Sequence, residues 1–369
     1  MKILQLGKFY PIEGGVDKVM LDLTMGLSER GMTCDMLCAA NGDAQVVKLN
    51  DYGSIVATKT AFKLAATYFS FAMVSYMRKH AAEYDVVHIH HPDPMACFAL
   101  YLSGYKGKVV LHWHSDILKQ KTLLKFYKPF QSWLIKRADK IVGTTPVYVA
   151  QSKALSDVQD KVDYIPIGVE DVSLSPADEQ KIRSRYPNKK IVYSLGRLVG
   201  YKGYEYLVKA AQYLPDDYVI LIGGRGPLMD SLQNLINELG VSDKVKLLGY
   251  IRSEEFASYY KACDVFCLSS IWKTEAFAIV QVEAMSCSKP VVATQIPESG
   301  VSWVNKQGYS GINVPIMDAK ALSEAILRIT DEREYNQYSA NARNHYITNF
   351  SYSKMIDRCV MLYEELLSE

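Results

Sequence analysis

The stretch IPIGVEDVSLSPADEQ, residues 165–180, holds two prolines, a glycine, two serines and four acids, and it has no apolar periodicity. It separates two runs of one pattern. Upstream, short apolar and β-branched stretches at KILQLG (2–7), TCDMLCA (33–39), DVVHIH (85–90), KVVLHWH (108–114) and KIVGTT (140–145) alternate with longer segments of helical period. Downstream, a second series begins with KIVYSLG (190–196) and continues through YVILIGG (218–224), KVKLLG (244–249), DVFCL (264–268) and PVVAT (290–294). Alternation of this kind marks parallel βαβ units. The sequence therefore predicts an α/β chain of two doubly wound, Rossmann-like domains facing each other across a cleft, residues 1–168 and 169–350. In such sheets ligands bind beyond the carboxyl ends of the strands, so the residues that follow each strand are the ones to inspect.

Length and composition agree with two domains. A chain of 369 residues exceeds the size at which one core usually stops growing. Hydrophobic residues make up 49% and charged residues 22%, an ordinary globular balance. No apolar run is long enough to cross a bilayer, and MKILQLGKFYP lacks an apolar signal core, which predicts a cytoplasmic setting. The seven cysteines form no CxxC pair and no zinc-spaced cluster with histidine, so they are expected to be small buried apolar groups. Net charge is only +2, but residues 102–140 carry nine basic groups against Asp116 and Asp139. That segment is a candidate contact for an anionic surface.

The residues after the strands narrow the chemistry. Gly14 and Gly15 follow the first strand where a helix starts, and free backbone N–H groups there suit an anion, although a glycine pair also serves as a plain turn. The dinucleotide pattern GxGxxG is absent, and its nearest imitation, GGRGPLMD at 223–230, lacks the third glycine, which argues against a nicotinamide enzyme. Arg197 and Lys202 stand five residues apart beyond KIVYSLG, either as solvated surface cations or as a fork and a point charge closing on a diphosphate. In TEAFAIVQVEAM, residues 274–285, Glu275 precedes a predicted helix and Glu283 lies two turns into it, roughly 12 Å further along. Carboxylates so far apart cannot share a proton, but they can grip the two ends of an elongated ligand. Between them Ala276, Phe277 and Ala278 offer a helix start whose N–H groups and dipole favour a phosphate. Sugar, diphosphate and ribose in that order make a nucleotide sugar.

Glu275 and Glu283, together with GRLVGYKG, GGRGP, KVKLLGY and the Gly14–Gly15 loop, resemble glycosyltransferase family four, the retaining sugar-nucleotide transferases of GT-B architecture. The resemblance runs the length of the chain with five motifs in order. More narrowly, WHSDILKQK (113–121), TEAFAIVQVEAMSCSKPVV (274–292) and ESGVSWVNKQGYSG (298–311) resemble a bacterial subgroup of rhamnosyl and mannosyltransferases of surface polysaccharide assembly. By that resemblance Glu275 would hold donor-sugar hydroxyls, Glu283 the ribose hydroxyls, and Arg197 and Lys202 the diphosphate, with the Gly15 amide touching it from the other domain. Gly226, Gly249, Tyr250 and Ile279 would complete the donor site around Ala276, Phe277 and Ala278. His114 matches the family's cleft histidine and joins Arg197, Lys202 and Glu275 in the implied catalytic set, with Asp116 beside it. Arg225 departs from the family, where a small or acidic residue is usual, and leaves base preference open. Residues 351–369 have helical period and, by the resemblance, would cross back to the first domain.

Retention without an evident protein nucleophile implies front-face transfer, in which a donor phosphate oxygen takes the acceptor proton. No cofactor and no metal are expected. There is no DxD clamp, and the metal reading of HIHHPDP, with His88, His90, His91 and Asp93, competes with that of a cleft rim. The expected partners are a nucleotide sugar, first GDP-mannose and then a UDP-hexose, and a saccharide or lipid-linked saccharide acceptor; nucleic acid is not among them. Residues 59–80 and 118–140 have the composition of interfacial helices, which would hold the protein on anionic membrane, unless their apolar faces simply pack on the sheet. An epimerase or phosphorylase would share the architecture but need further acid/base groups or a cofactor lysine. A non-catalytic carbohydrate-binding protein would fail to hydrolyse its donor.

Overall fold

This computed structural model describes residues 1–12, 15–64, 67–117 and 121–368, without the side chains of residues 121–123. Gly14, singled out above, and Lys119, one of the nine basic groups of residues 102–140, lie outside the described residues. The chain divides into two compact units, Met1–Ile167 with Ser353–Glu369, and Gly168–Tyr352.

The first unit carries β1 (Lys2–Tyr10), β2 (Thr33–Ala40), β3 (Gln45–Lys48), β4 (Ser54–Lys59), β5 (Phe62–Leu64), β6 (Thr67–Phe69), β7 (Val86–His91), β8 (Lys108–Trp113), β9 (Lys140–Gly143) and β10 (Val162–Tyr164). Eight of these form one sheet in the order β10-β9-β8-β7-β1-β2-β4-β3, parallel except for the β3–β4 pair. β7 is buried at every position, as expected of a central parallel strand with both faces covered. Most of the helix Tyr352–Ser368 belongs to this unit: Tyr363 hydrogen-bonds His88 at 2.5 Å and Gln5 at 3.3 Å, and Arg30 pairs with Asp357 at 2.6 Å.

Residues 59–80 do not form the single interfacial helix that their composition suggests. They make a small antiparallel hairpin of β5 and β6, followed by the helix Phe71–His80. The reason is local. Phe62 and Leu64 alternate with Ala61 and Lys63 at strand period, and Ser70 then opens the helix by accepting a hydrogen bond from the Met73 N–H.

The second unit is a six-stranded, all-parallel sheet of β11 (Lys190–Leu195), β12 (Tyr218–Gly223), β13 (Val245–Gly249), β14 (Val265–Leu268), β15 (Val291–Thr294) and β16 (Gly311–Val314). The strands run β13-β12-β11-β14-β15-β16, the doubly wound order in which chain direction across the sheet reverses between β11 and β14. β12 is buried throughout and packs Ile220 and Ile222 with Leu207 and Val208 of the helix Tyr204–Ala210. Each such side chain contributes about 1.5–3 kcal/mol relative to exposure. The crevice beyond β11 and β14 is thus a rigid place from which to present side chains. All seven cysteines are free and buried. Among the described residues no helix is long and apolar enough to cross a membrane.

Candidate active site

Two loops leave β11 and β12 and lock together backbone to backbone. The Leu198 N–H donates to the Arg225 carbonyl at 3.0 Å, and the Leu228 N–H donates to the Leu198 carbonyl at 3.1 Å. A Cβ on Gly224 would stand 1.9 Å from the Gly196 oxygen, and one on Gly226 would stand 2.3 Å from the Leu198 oxygen. The glycines of GGRGP are therefore required by this close approach and not by a dinucleotide fingerprint. The effect is to hold Arg197 just past the end of β11. Its side chain is exposed and has no ion-pair partner among the described residues.

Lys202 is placed differently. It closes a short turn, Gly200–Lys202, that is sewn to the loop after β14. Ser269 Oγ donates to the Lys202 carbonyl at 2.9 Å, and the Ile271 N–H donates to the Tyr201 carbonyl at 2.8 Å. Gly203 follows with φ +61°, where a Cβ would lie 2.3 Å from the Ser269 oxygen. The turn drives Lys202 inward until it is only 8% exposed, and Nζ meets Glu275 at 2.5 Å. The sequence reading assigned Lys202 to the diphosphate and Glu275 to the sugar; here they are each other's partner. Glu275, also 8% exposed, accepts a second hydrogen bond from Ser270 Oγ at 2.8 Å, and Ser299 Oγ donates to its carbonyl at 2.5 Å. The carboxylate is thus oriented from two sides.

The helix expected around residues 276–278 begins one step later, at Ile279. Ala278 takes the left-handed conformation, φ 62°, and no side chain caps the helix start. Ala276, Phe277 and Ala278 form the approach to the helix and not its first turn. The approach is braced by the Gly300 N–H donating to the Ala276 carbonyl at 3.0 Å and by Gln281 Nε2 donating to the Phe277 carbonyl at 2.7 Å. An uncapped start with its N–H groups free of side chains favours an anion. Glu283, half-buried, accepts a hydrogen bond from the Tyr260 hydroxyl at 2.7 Å. Burial pushes that phenol well above its ordinary range, so it stays a donor to the carboxylate. The second unit therefore brings Arg197, Lys202, Gly226, Tyr250, Glu275, Ile279 and Glu283 to the carboxyl ends of β11–β14.

Gly15 and His114 belong to the first unit. Gly15 opens the helix Gly15–Glu29, and His114 follows β8 directly. His114 is 5% exposed and shares a 2.9 Å hydrogen bond with His90 Nδ1. Burial holds its imidazole well below the usual range, with His112, His90, Lys8 and His88 adding to the shift, so it is neutral at pH 7. Asp116 is committed to the scaffold: it accepts from Trp113 Nε1 at 3.0 Å and from Ser152 Oγ at 2.7 Å.

The sequence reading noticed HIHHPDP but missed its partner. His88 and His90 on β7 and His112 and His114 on and after β8 form one buried layer, because HxH on each of two neighbouring parallel strands points four imidazoles to one face. The alternation was the available signal. His90, His112 and His114 bring ring nitrogens within 4.8 Å of one another. The rings of His112 and His114, however, lie at 10° with centroids 4.0 Å apart. Imidazole lone pairs lie in the ring plane, so two stacked rings cannot direct them at one ion. His91, on the opposite face, stacks on Trp113 at 3.8 Å.

Comparison with known proteins agrees with this architecture. Residues 13–172 match the family model described as Glycosyltransferase Family 4, and residues 177–345 match Glycosyl transferases group 1. The chain is 30% identical to O-antigen chain mannosyltransferase C of Escherichia coli over 100% of this chain and 99% of that protein. It is 28% identical to D-rhamnosyltransferase WbpZ of Pseudomonas aeruginosa, over 88% and 86% of the two chains. Among solved structures, sucrose-phosphate synthase from Thermosynechococcus elongatus superposes with a TM-score of 0.80 at 20% identity, covering 100% of both chains. The chain belongs to glycosyltransferase family 4, with the GT-B fold.

Proposed function

We propose that this protein is a retaining hexosyltransferase that moves mannose from GDP-mannose to a saccharide acceptor, lipid-linked, without a metal ion or other cofactor. Its product enters a cell-surface polysaccharide such as O-antigen, capsule or exopolysaccharide. The observation that carries the reading is the group assembled at the strand ends of the second unit: exposed Arg197, the Lys202–Glu275 pair and the uncapped start at Ile279. End-to-end similarity to a mannosyltransferase of O-antigen supports the choice of sugar.

In this reading Arg197 and the helix start hold the diphosphate, and Lys202 turns part of its charge from Glu275 to the leaving phosphate. Glu275, kept in place by Ser270, accepts hydrogen bonds from sugar hydroxyls, and Glu283 accepts them from the ribose. The Gly15 amide and neutral His114 serve the donor from the first unit. The acceptor hydroxyl attacks the anomeric carbon on the face from which the diphosphate departs. The carbon–oxygen bond to phosphate breaks, and the acceptor proton passes to that phosphate oxygen. The protein supplies position and charge stabilisation.

Docking at the inner face of the cytoplasmic membrane suits a lipid-linked acceptor. It is supported by exposed Phe62, Leu64, Phe71 and Phe126 among the lysines of residues 59–80 and 121–140. The deciding experiment offers radiolabelled GDP-mannose, UDP-glucose and UDP-galactose with a lipid-linked saccharide, with and without EDTA. Mannose transfer with retained anomeric configuration, unaffected by EDTA, is expected. Transfer only from a UDP-sugar, inversion, or loss of activity in EDTA would each remove the corresponding part of the proposal.

A further inference from the structure

Arg225 lies between the two glycines that lock the β12 loop, and its backbone is fixed there by the bond from the Leu198 N–H. Its side chain points out of that rigid turn. The guanidinium is exposed, has no carboxylate or hydrogen-bond partner among the described residues, and rests over the ring of Tyr250 at 5.5 Å. Tyr250 follows β13 directly and is 64% exposed. An arginine held over an aromatic ring keeps a preferred position while its N–H donors stay open to a ligand.

The strand order gives the position a meaning. Glu275 follows β14, Arg197 follows β11, Arg225 follows β12 and Tyr250 follows β13, and these four strands are neighbours in the order β13-β12-β11-β14. Three strand spacings span about 14 Å. A nucleotide sugar laid along these ends, sugar at Glu275 and diphosphate at Arg197, brings its base to Arg225 and Tyr250.

We infer that Arg225, mounted on Tyr250, reads the base of the donor and selects guanine; the inference rests on the donor site proposed above. The chemistry is a match of edges. Guanine sets two acceptors, O6 and N7, side by side, and a guanidinium fork can donate to both. Adenine puts an amino donor next to N7, which faces the fork with like polarity. Uracil separates its two acceptors, O2 and O4, by the N3–H donor, so a fork meets no adjacent acceptor pair. A fork with all its donors uncommitted therefore favours guanine, and the Tyr250 ring gives the base an apolar face to lie against.

Calorimetric binding of GDP, UDP and ADP to the full chain tests this, with Arg197→Ala as a control for the diphosphate. The unaltered protein is expected to bind GDP more tightly than UDP or ADP by about 5- to 150-fold, the range of one bidentate contact. Arg225→Ala should abolish most of that preference while leaving UDP affinity within about twofold, and Arg225→Lys, which keeps the charge, should not restore it. Tyr250→Phe should retain the preference, whereas Tyr250→Ala should weaken it. Arg197→Ala should lower affinity for all three nucleotides alike. If Arg225→Ala weakens GDP and UDP equally, or Arg225→Lys restores the preference, Arg225 acts on charge alone and the inference falls while the donor site stands. If the unaltered protein binds none of the three, the donor site itself is wrong and the inference falls with it. Because the Arg225 side chain is exposed, unchanged thermal unfolding of its variants is the check on folding.

Discussion

Arg197 and Lys202 were paired by the sequence as two cations for one diphosphate, yet they sit in different surroundings. Arg197 is exposed and uncommitted, so Arg197→Ala removes a charge from solvent-facing space with little cost to folding. Turnover should fall by about 10²–10³, the scale of losing one preorganised charge partner, while the unfolding midpoint stays constant. Steady-state transfer rates beside denaturant curves would measure both, and near-normal turnover would reject the role. Lys202→Met is different because Glu275 would be left buried with only Ser270 as its side-chain donor. Removing one member of a buried pair costs about 3–5 kcal/mol. The combined variant Lys202→Met with Glu275→Gln should recover much of that stability without recovering activity. Equal stability of the single and double variants in urea would show that the pair has no such coupling.

The β7 and β8 strands make a prediction of their own through their histidines. Burial lowers His91 and His112 to about 3 and holds His88, His90 and His114 well below the usual range. Unfolded imidazoles titrate near 6.5. Between roughly pH 6.5 and 3 the unfolded chain therefore binds protons that the folded strands do not, and stability must fall as pH drops through that window. Each buried histidine steepens the fall by about 1.4 kcal/mol per pH unit. Urea unfolding followed at pH 7.5, 6.5 and 5.5 should show the midpoint steady above 6.5 and declining below it, with His112→Leu reducing the slope. A flat profile would mean that the layer takes up protons while folded. The turn after β11 gives a second test at this scale. Gly203→Ala needs both a left-handed φ and space already occupied by the Ser269 oxygen, so Lys202 should lose its position and donor affinity should drop with stability.

At the scale of the molecule, the exposed Phe62, Phe71 and Phe126 of the first unit belong to sequence segments that carry lysines, which predicts sedimentation with anionic and not neutral liposomes. Phe71→Ser with Phe126→Ser should weaken it, and equal sedimentation with both lipids would remove membrane docking from the proposal. What the sequence by itself determined was periodic or local. Strands and helices alternate through two series because βαβ units repeat a burial pattern, and KIVYSLG, YVILIGG and DVFCL could be placed to within a residue or two. The strands β3, β4, β5, β6, β10 and β16 escaped, since their short stretches mix polar with apolar residues and lack the continuous apolar run that marked β9, β14 and β15. Arg197, Glu275 and Glu283 were legible as residues beyond strand ends, where this class of sheet binds ligands. Only the tertiary structure decided what those residues touch. Lys202 and Glu275 are 73 positions apart, His90 lies on β7 and His114 just past β8, and Arg225 meets a tyrosine from the next βα unit. Such contacts are set by strand order and by backbone approach at Gly203, Gly224 and Gly226, and neither is written in the hydrophobic period of any one segment.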